Sequence, residues 1–228
     1  MSSALFVVTE VYHADGFHSP TGFDIREAAE VWDFLTVHGF DVEFASLGGG
    51  TVEGVLKSSP SRAIERFNRA FDRPLTVPTI AAARAIDQPY EIVYFVGGIG
   101  AMWDFPTQPA LHALIESAEA RRAVVAAICH GPAAFLGLRR SDGSPWVQDL
   151  QITSFSDNEE RNRGVLDLLP FSLQQALESA GATVLCAADR ASNVVRDDLV
   201  ITAQNPTSIA ALESALIDAL RPIGKGSA

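Results

Sequence analysis

Val124-Val125-Ala126-Ala127-Ile128-Cys129-His130-Gly131-Pro132 reads as an apolar strand running into a sharp turn and then a helix start. Five apolar residues without polar alternation suit a strand covered on both faces. A nucleophile between a strand and a helix needs small neighbours, because the helix start must come close to the strand. Ala127, two before Cys129, and Gly131, two after it, meet that need. Pro132 has a φ already suited to a first helical turn and no amide hydrogen to leave unpaired. The partial positive charge of a helix N-terminus favours thiolate over thiol, so Cys129 is expected to be an activated sulfur. The competing reading, a small buried core cysteine, is the common fate of a free thiol, and the turn weighs against it here. For Cys186, inside Val184-Leu185-Cys186-Ala187, no such turn exists and the core reading is preferred.

Working outward, the same alternation repeats. Leu5 to Val8 is a short apolar run, and Ile25 to His38 carries apolar residues at helical spacing. Val42 to Ala45 follows as a strand that stops at Gly48-Gly49-Gly50, and Ile92 to Val96 runs into Gly97-Gly98. A helix is expected from about Gln108 to Arg121 and another beyond Pro132. Thr183 to Ala187 and Leu199 to Thr202 should supply later strands, with a hairpin around Asp197-Asp198 at the sheet edge. Pro206 to Leu220 should close the chain as a helix with proline at its start. Wholly apolar strands separated by amphipathic helices predict an α/β fold: a doubly wound, mostly parallel sheet with helices on both faces. The stretch from Thr51 to Ala85 fits this least and is read as a helical excursion outside the sheet. No repeat or long linker divides the chain, so residues 1–228 are read as a single domain.

The 228 residues are 47% hydrophobic, enough for one full core. Seventeen basic against twenty-eight acidic residues give a net charge of −11, which repels phosphate backbones and anionic membranes. No basic stripe offsets this, and no run approaches the roughly 20 apolar residues of a membrane span. Two cysteines without a CxxC pair, and an apolar start too short for a signal peptide core, lead to an expectation of free thiols in the cytoplasm. No set of His, Cys and carboxylate residues has metal-ligand spacing, so no metal is expected, and no phosphate-cradling GxGxxG follows the first strand, so no nucleotide cofactor is expected either.

Loops at the carboxyl ends of parallel strands line one crevice, and ligands bind there. Cys129 sits on such a loop. The backbone N–H of His130 points where an oxyanion would form, and its ring could be a general base. Gly97-Gly98 lets a second N–H approach the same oxygen, although a Gly pair after a strand is also simply a turn. Glu27, at a helix start, reads by composition as a solvated capping charge.

Ala126 to Pro132 closely resembles the nucleophile segment of the ThiJ/PfpI superfamily, whose fold is a flavodoxin-like sandwich with a nucleophile elbow, similar to class I glutamine amidotransferases. Thr21-Gly22 with Glu27 looks like the TGxxxxE segment of that superfamily. Gly97-Gly98-Ile99-Gly100-Ala101-Met102-Trp103-Asp104-Phe105-Pro106 resembles the GGHGxxxDxP segment of its chaperone and glyoxalase III branch. Thr153-Ser154-Phe155-Ser156 leading to Glu160, and Ile201 to Ser208, are similar to two further segments of the same branch. The resemblance implies that Cys129 attacks, that Glu27 hydrogen-bonds the sulfur and shuttles protons, and that Glu160 orients His130. Glu159, one residue away, could take that last role instead. The chain departs from the branch at Ile99, where a His is usual, at Val31, where Pro is usual, and in a longer Tyr12 to Pro20 loop. His13 and His18 on that loop are read as exposed rather than as pocket residues.

The leading expectation is a cofactor-independent glyoxalase III-like enzyme acting on methylglyoxal or a related 2-oxoaldehyde. Its partners would be a small carbonyl substrate and a second copy of the chain, with no nucleic acid and no membrane. A cysteine-dependent amidase or peptidase would use the same residues. A holdase chaperone or stress protein would keep Cys129 as an oxidation sensor.

Overall fold

The computed structural model describes residues 2–220; residue 1 and residues 221–228 of the expected 1–228 domain lie outside the described residues. The chain runs β1 (Ser3–Val7), β2 (Phe23–Asp24), α1 (Ile25–Val37), β3 (Asp41–Ser46), β4 (Gly50–Val55), α2 (Arg62–Ala70), β5 (Thr76–Ala81) and α3 (Ala82–Ala85). It continues through β6 (Ile92–Phe95), α4 (Ala101–Asp104), α5 (Pro109–Ala120), β7 (Val124–Ile128), β8 (Gln151–Ile152), α6 (Asp157–Arg163) and α7 (Leu173–Ser179). β9 (Thr183–Val184), β10 (Val194–Asp197), β11 (Val200–Ala203) and α8 (Ile209–Leu220) complete it.

Nine strands form one sheet in the order β10-β11-β7-β6-β1-β3-β5-β4-β2. Every neighbouring pair is parallel except β10 with β11 and β4 with β5. Alternate residues of each central strand feed opposite cores, as a two-sided sheet requires. Phe6, Tyr94 and Ala126 pack beneath α1, α2 and α8, whereas Leu5, Phe95 and Ala127 pack against α3, α4, α5 and α7. The doubly wound α/β architecture expected from the apolar strands is therefore present, and the β10–β11 hairpin lies at the sheet edge as expected.

Four local expectations need correction. Residues 51–85 are not a helical excursion outside the sheet: α2 and α3 are helical, but β4 and β5 pair antiparallel and join the sheet through β3. In β4, Val52 is buried while Thr51 and Glu53 are exposed, the alternation of a strand with one wet face. Thr183 to Ala187 does not enter the main sheet; only Thr183–Val184 is extended, paired with β8 in a separate two-stranded sheet. Cys186 is exposed rather than a core residue, because the chain leaves that small sheet and ties its Ala187 N–H to the Gln204 side chain at 2.8 Å. The turn after Cys129 leads into a short 3₁₀ segment, Gly131–Phe135, in place of an α-helix, while Pro206 opens a 3₁₀ turn ahead of α8.

Candidate active site

β6 and β7 lie side by side, so their carboxyl ends set Gly97-Gly98 beside Cys129. Cys129 has φ +59, the left-handed region that a non-glycine side chain rarely occupies. Two backbone bonds fix this strained residue: the Cys129 N–H donates to the Ala203 carbonyl at the end of β11 at 2.9 Å, and the Phe155 N–H, just ahead of α6, donates to the Cys129 carbonyl at 2.9 Å. Gly131 permits the turn: a Cβ there would lie 2.3 Å from the Phe95 carbonyl oxygen.

His130 is fully buried, with Nδ1 3.2 Å from Cys129 Sγ and Nε2 2.6 Å from Glu160 Oε1. When Nε2–H donates to the Glu160 carboxylate, Nδ1 presents its lone pair to the sulfur. Phe155 stacks on the imidazole with centroids 5.2 Å apart at 23°, which fixes the ring plane. The Arg163 guanidinium also lies over the Phe155 ring, 5.2 Å from its centroid.

Glu159 is engaged elsewhere. Its carboxylate accepts from Ser156 Oγ at 2.9 Å, Gln204 Nε2 at 2.8 Å, Asn205 Nδ2 at 2.8 Å and the Arg190 N–H at 3.2 Å. It closes a capping box with Ser156 at the start of α6, and so aims Glu160, one residue on, at His130. Of the two carboxylates left open by the sequence, Glu160 is the one that reaches the imidazole.

Glu27 is not a solvated cap. The cap of α1 is Asp24, whose Oδ1 accepts from the Arg26 and Glu27 N–H groups at 2.9 and 3.3 Å. The Glu27 side chain turns inward, is fully buried, and neither oxygen closes a hydrogen bond. It lies against the two groups that could donate to it, the Cys129 thiol and the Gly97 N–H. A Cβ on Gly97 would fall 2.1 Å from Glu27 Oε2 and 2.7 Å from Cys129 Cβ, so glycine is required for the carboxyl and the cysteine to meet there. Burial, and then the Asp24 charge, raises the Glu27 carboxyl well above the usual range. Burial also pushes the Cys129 thiol up, with the Glu27 charge as the next cause. The helix-start argument for a low thiol pKa is thus outweighed by desolvation. A proton on Glu27 removes its charge and makes the carboxyl a donor to the sulfur.

A cavity of about 310 Å³ opens over Cys129 and His130, with Gly98, Ile99, Phe155 and Asp24 among its walls. Gly97 lies behind the wall, beside Glu27. His13 and His18 are exposed and line no part of this cavity. Lys57, Asn162, Arg163, Asp189 and Arg190 also line it, and none of them was singled out by sequence. They come from three separate places, Lys57 between β4 and α2, Asn162 and Arg163 at the end of α6, and Asp189 and Arg190 on the loop before β10, so no local pattern marks them; only the way the chain folds brings them together. Among the described residues no cluster of three His, Cys, Asp or Glu side chains could hold a metal ion, and no helix is long and apolar enough to cross a membrane.

Comparison with known proteins agrees in fold and extent. No family model matches the chain. The chain is 26% identical over 219 residues to glyoxalase 3 of Candida albicans, covering 90% of this chain and 91% of that one. It is 30% identical over 167 residues to a probable glutathione-independent glyoxalase of Saccharomyces cerevisiae, 69% of each chain. Among solved structures, the rapid encystment protein of Francisella tularensis superposes with a TM-score of 0.87 at 28% identity, covering 97% of this chain and all of the other, 100%. Glyoxalase III of Candida albicans superposes with a TM-score of 0.82 at 25% identity, covering 96% and 97%. A ThiJ/PfpI domain protein of Brachyspira murdochii, at 16% identity and a TM-score of 0.61 over 96% and 95% of the two chains, shares the fold.

Proposed function

This chain belongs to the glutathione-independent glyoxalases and shares the fold of ThiJ/PfpI domain proteins, and from that premise we propose that it converts a 2-oxoaldehyde such as methylglyoxal into a 2-hydroxy acid through Cys129. The observation that carries the reading is a pair of proton carriers on one sulfur: the His130–Glu160 pair on one side and the buried Glu27 carboxyl on the other. Acyl hydrolysis needs a nucleophile and one base that doubles as acid. Moving a hydrogen from one carbon to its neighbour calls for a base and an acid facing the same two-carbon unit.

In this mechanism the thiol proton passes to His130 and Sγ adds to the aldehyde carbon. The former carbonyl oxygen takes up a proton, giving a hemithioacetal beside the Gly98 and His130 backbone N–H groups. His130 or Glu27 then removes the hydrogen on that carbon while the neighbouring carbonyl oxygen takes up a proton, forming an enediol; a proton is then returned to the neighbouring carbon as the first hydroxyl gives up its own. The result is a thioester of a 2-hydroxy acid. Water cleaves it, regenerating the thiol, so that one 2-oxoaldehyde and one water give one 2-hydroxy acid. Every proton acceptor and donor named is a side chain on this chain, and glutathione has no step to perform.

The test supplies methylglyoxal without glutathione and measures lactate. Wild type produces it and Cys129→Ala does not; equal rates in the two would overturn the reading. The same proposal includes a cytoplasmic homodimer. Two unpaired cysteines support the reducing compartment, and light scattering on purified protein reads the oligomer.

A further inference from the structure

The cavity over Cys129 holds more than a three-carbon dicarbonyl needs. Its volume, about 310 Å³, falls at the lower end of the range for sites that take larger ligands. Its charges are also arranged unequally. The protein as a whole carries −11, yet Lys57, Arg163 and Arg190 all line this opening.

The acidic groups around it have partners. Asp24 caps α1 through two N–H groups. Glu159 accepts from Ser156, Gln204, Asn205 and the Arg190 N–H. Asp189 accepts from Asn162 Nδ2 at 2.9 Å. The guanidinium groups do not: among the described residues, no ion pair involves Arg163 or Arg190.

The Arg163 side chain and the Arg190 backbone are nevertheless held in place. Arg163 ends α6 and lies over the Phe155 ring that stacks on His130. Arg190 occupies the left-handed region at φ +58, strain that its neighbours must offset, and its N–H is tied to Glu159. Glu159 therefore aims Glu160 at the imidazole and also fixes the backbone of Arg190 at the rim. A planar guanidinium with unused donors is suited to a carboxylate or a phosphate. Ile99 gives its part of the lining an apolar surface, so the unpaired polar groups available to a substrate are the arginines.

We propose that the site takes 2-oxoaldehydes bearing a distal anionic group, a carboxylate or a phosphate, which Arg163 and Arg190 bind while Sγ of Cys129 engages the aldehyde. This rests on the glyoxalase reading above. The chemistry of the reacting carbons is unchanged; the anion supplies orientation.

The test compares kcat/KM for four substrates: methylglyoxal, 4,5-dioxopentanoate, its neutral methyl ester, and the phosphate monoester of 3-hydroxy-2-oxopropanal. Wild type prefers the acid over its ester by about tenfold at low salt, the gain that two partly exposed guanidinium contacts supply together. The preference shrinks as ionic strength rises. In Arg163→Gln/Arg190→Gln it falls below about threefold, with Arg190→Gln alone in between. Taking the ratio within each variant cancels any general loss of rate, and a larger ratio for the phosphate over methylglyoxal than for the carboxylate identifies phosphate as the anion. An acid-to-ester ratio near one in wild type, or one that the double change leaves intact, overturns the proposal even if methylglyoxal is turned over. No turnover of any of the four would instead overturn the glyoxalase reading beneath it.

Discussion

Gly97→Ala tests whether the carboxyl of Glu27 must lie where the structure places it. Gly97 does not occupy the left-handed region, so alanine fits its backbone and the perturbation is steric. The new Cβ would meet Glu27 Oε2 at 2.1 Å, Cys129 Cβ at 2.7 Å and the Ile128 carbonyl oxygen at 2.8 Å. Gly97 itself has little room to retreat, because its carbonyl accepts from the Asp24 N–H at 2.9 Å and Gly98 follows at φ +129. The side chain of Glu27 must therefore give way by about 1 Å or more to restore van der Waals contact, and a displacement of that size at a reacting group costs on the order of 10²-fold in rate. Overpacking of this kind costs about 1–3 kcal/mol of stability, which lowers Tm by several degrees but leaves the protein folded at 25 °C. The assay is lactate formation from methylglyoxal without glutathione, alongside thermal unfolding by circular dichroism. A folded Gly97→Ala protein whose kcat/KM stays within about threefold of wild type would refute the idea that Glu27 acts from this position.

Three further outcomes follow from the site and its surroundings. Glu160→Gln removes the carboxylate 2.6 Å from His130 and is expected to lower kcat by roughly 10²-fold or more, whereas Glu159→Gln, which disturbs a capping box and two buried amides, costs about 2–4 kcal/mol and shows chiefly as a lower Tm; the reverse pattern would exchange their roles. Burial raises Asp104 from 3.8 to about 6, so its ionisation opposes folding: the stability present below pH 4 falls by about 3 kcal/mol as pH rises through 6. Asp104→Asn retains an acceptor for the Glu10 N–H and should gain Tm relative to wild type between pH 4 and pH 8; a constant difference would contradict this. Partial burial, and next the Glu159 charge, pushes the exposed Cys186 thiol to about 11, so iodoacetamide at pH 8 should modify it slowly, and rapid labelling of its peptide in mass spectra would argue against that environment.

The central half of the sheet was legible because its information is local. An apolar run of four or five residues between amphipathic segments says that both faces are covered, and β1, β6 and β7 are such runs. The sharp turn at Cys129 was legible for a similar reason, since Ala127 and Gly131 are small where the turn needs space. The far edge was misread because one face of it is wet. Thr51-Val52-Glu53 alternates in the way an edge strand does, but three residues are a short signal beside the longer helical spacing of residues 63–71, which itself is broken by polar residues. Cys186 lies off the core because a side-chain amide, Gln204, captures the chain where the apolar tetrapeptide Val184-Leu185-Cys186-Ala187 predicts a strand.

Glu27 shows most clearly what spacing alone leaves open. A glutamate in the first turn of a helix ordinarily faces water and favours the N-terminal partial charge. Here Asp24, just ahead of α1, already satisfies the N–H groups of residues 26 and 27, so Glu27 has no capping bond to make. Its side chain is free to turn toward the sheet, where Gly97 leaves room for it and the end of β7 presents a sulfur. A carboxylate in that position would lack both water and an ion pair, and the Asp24 charge nearby makes ionisation harder still. The unfavourable term is relieved by a proton, and a protonated carboxyl against a thiol is a donor able to hold thiolate character that desolvation alone would suppress. The same burial that raises Glu27 is therefore what equips it to act on Cys129, and moving the carboxyl toward solvent would restore its ordinary acidity while removing its use to the sulfur.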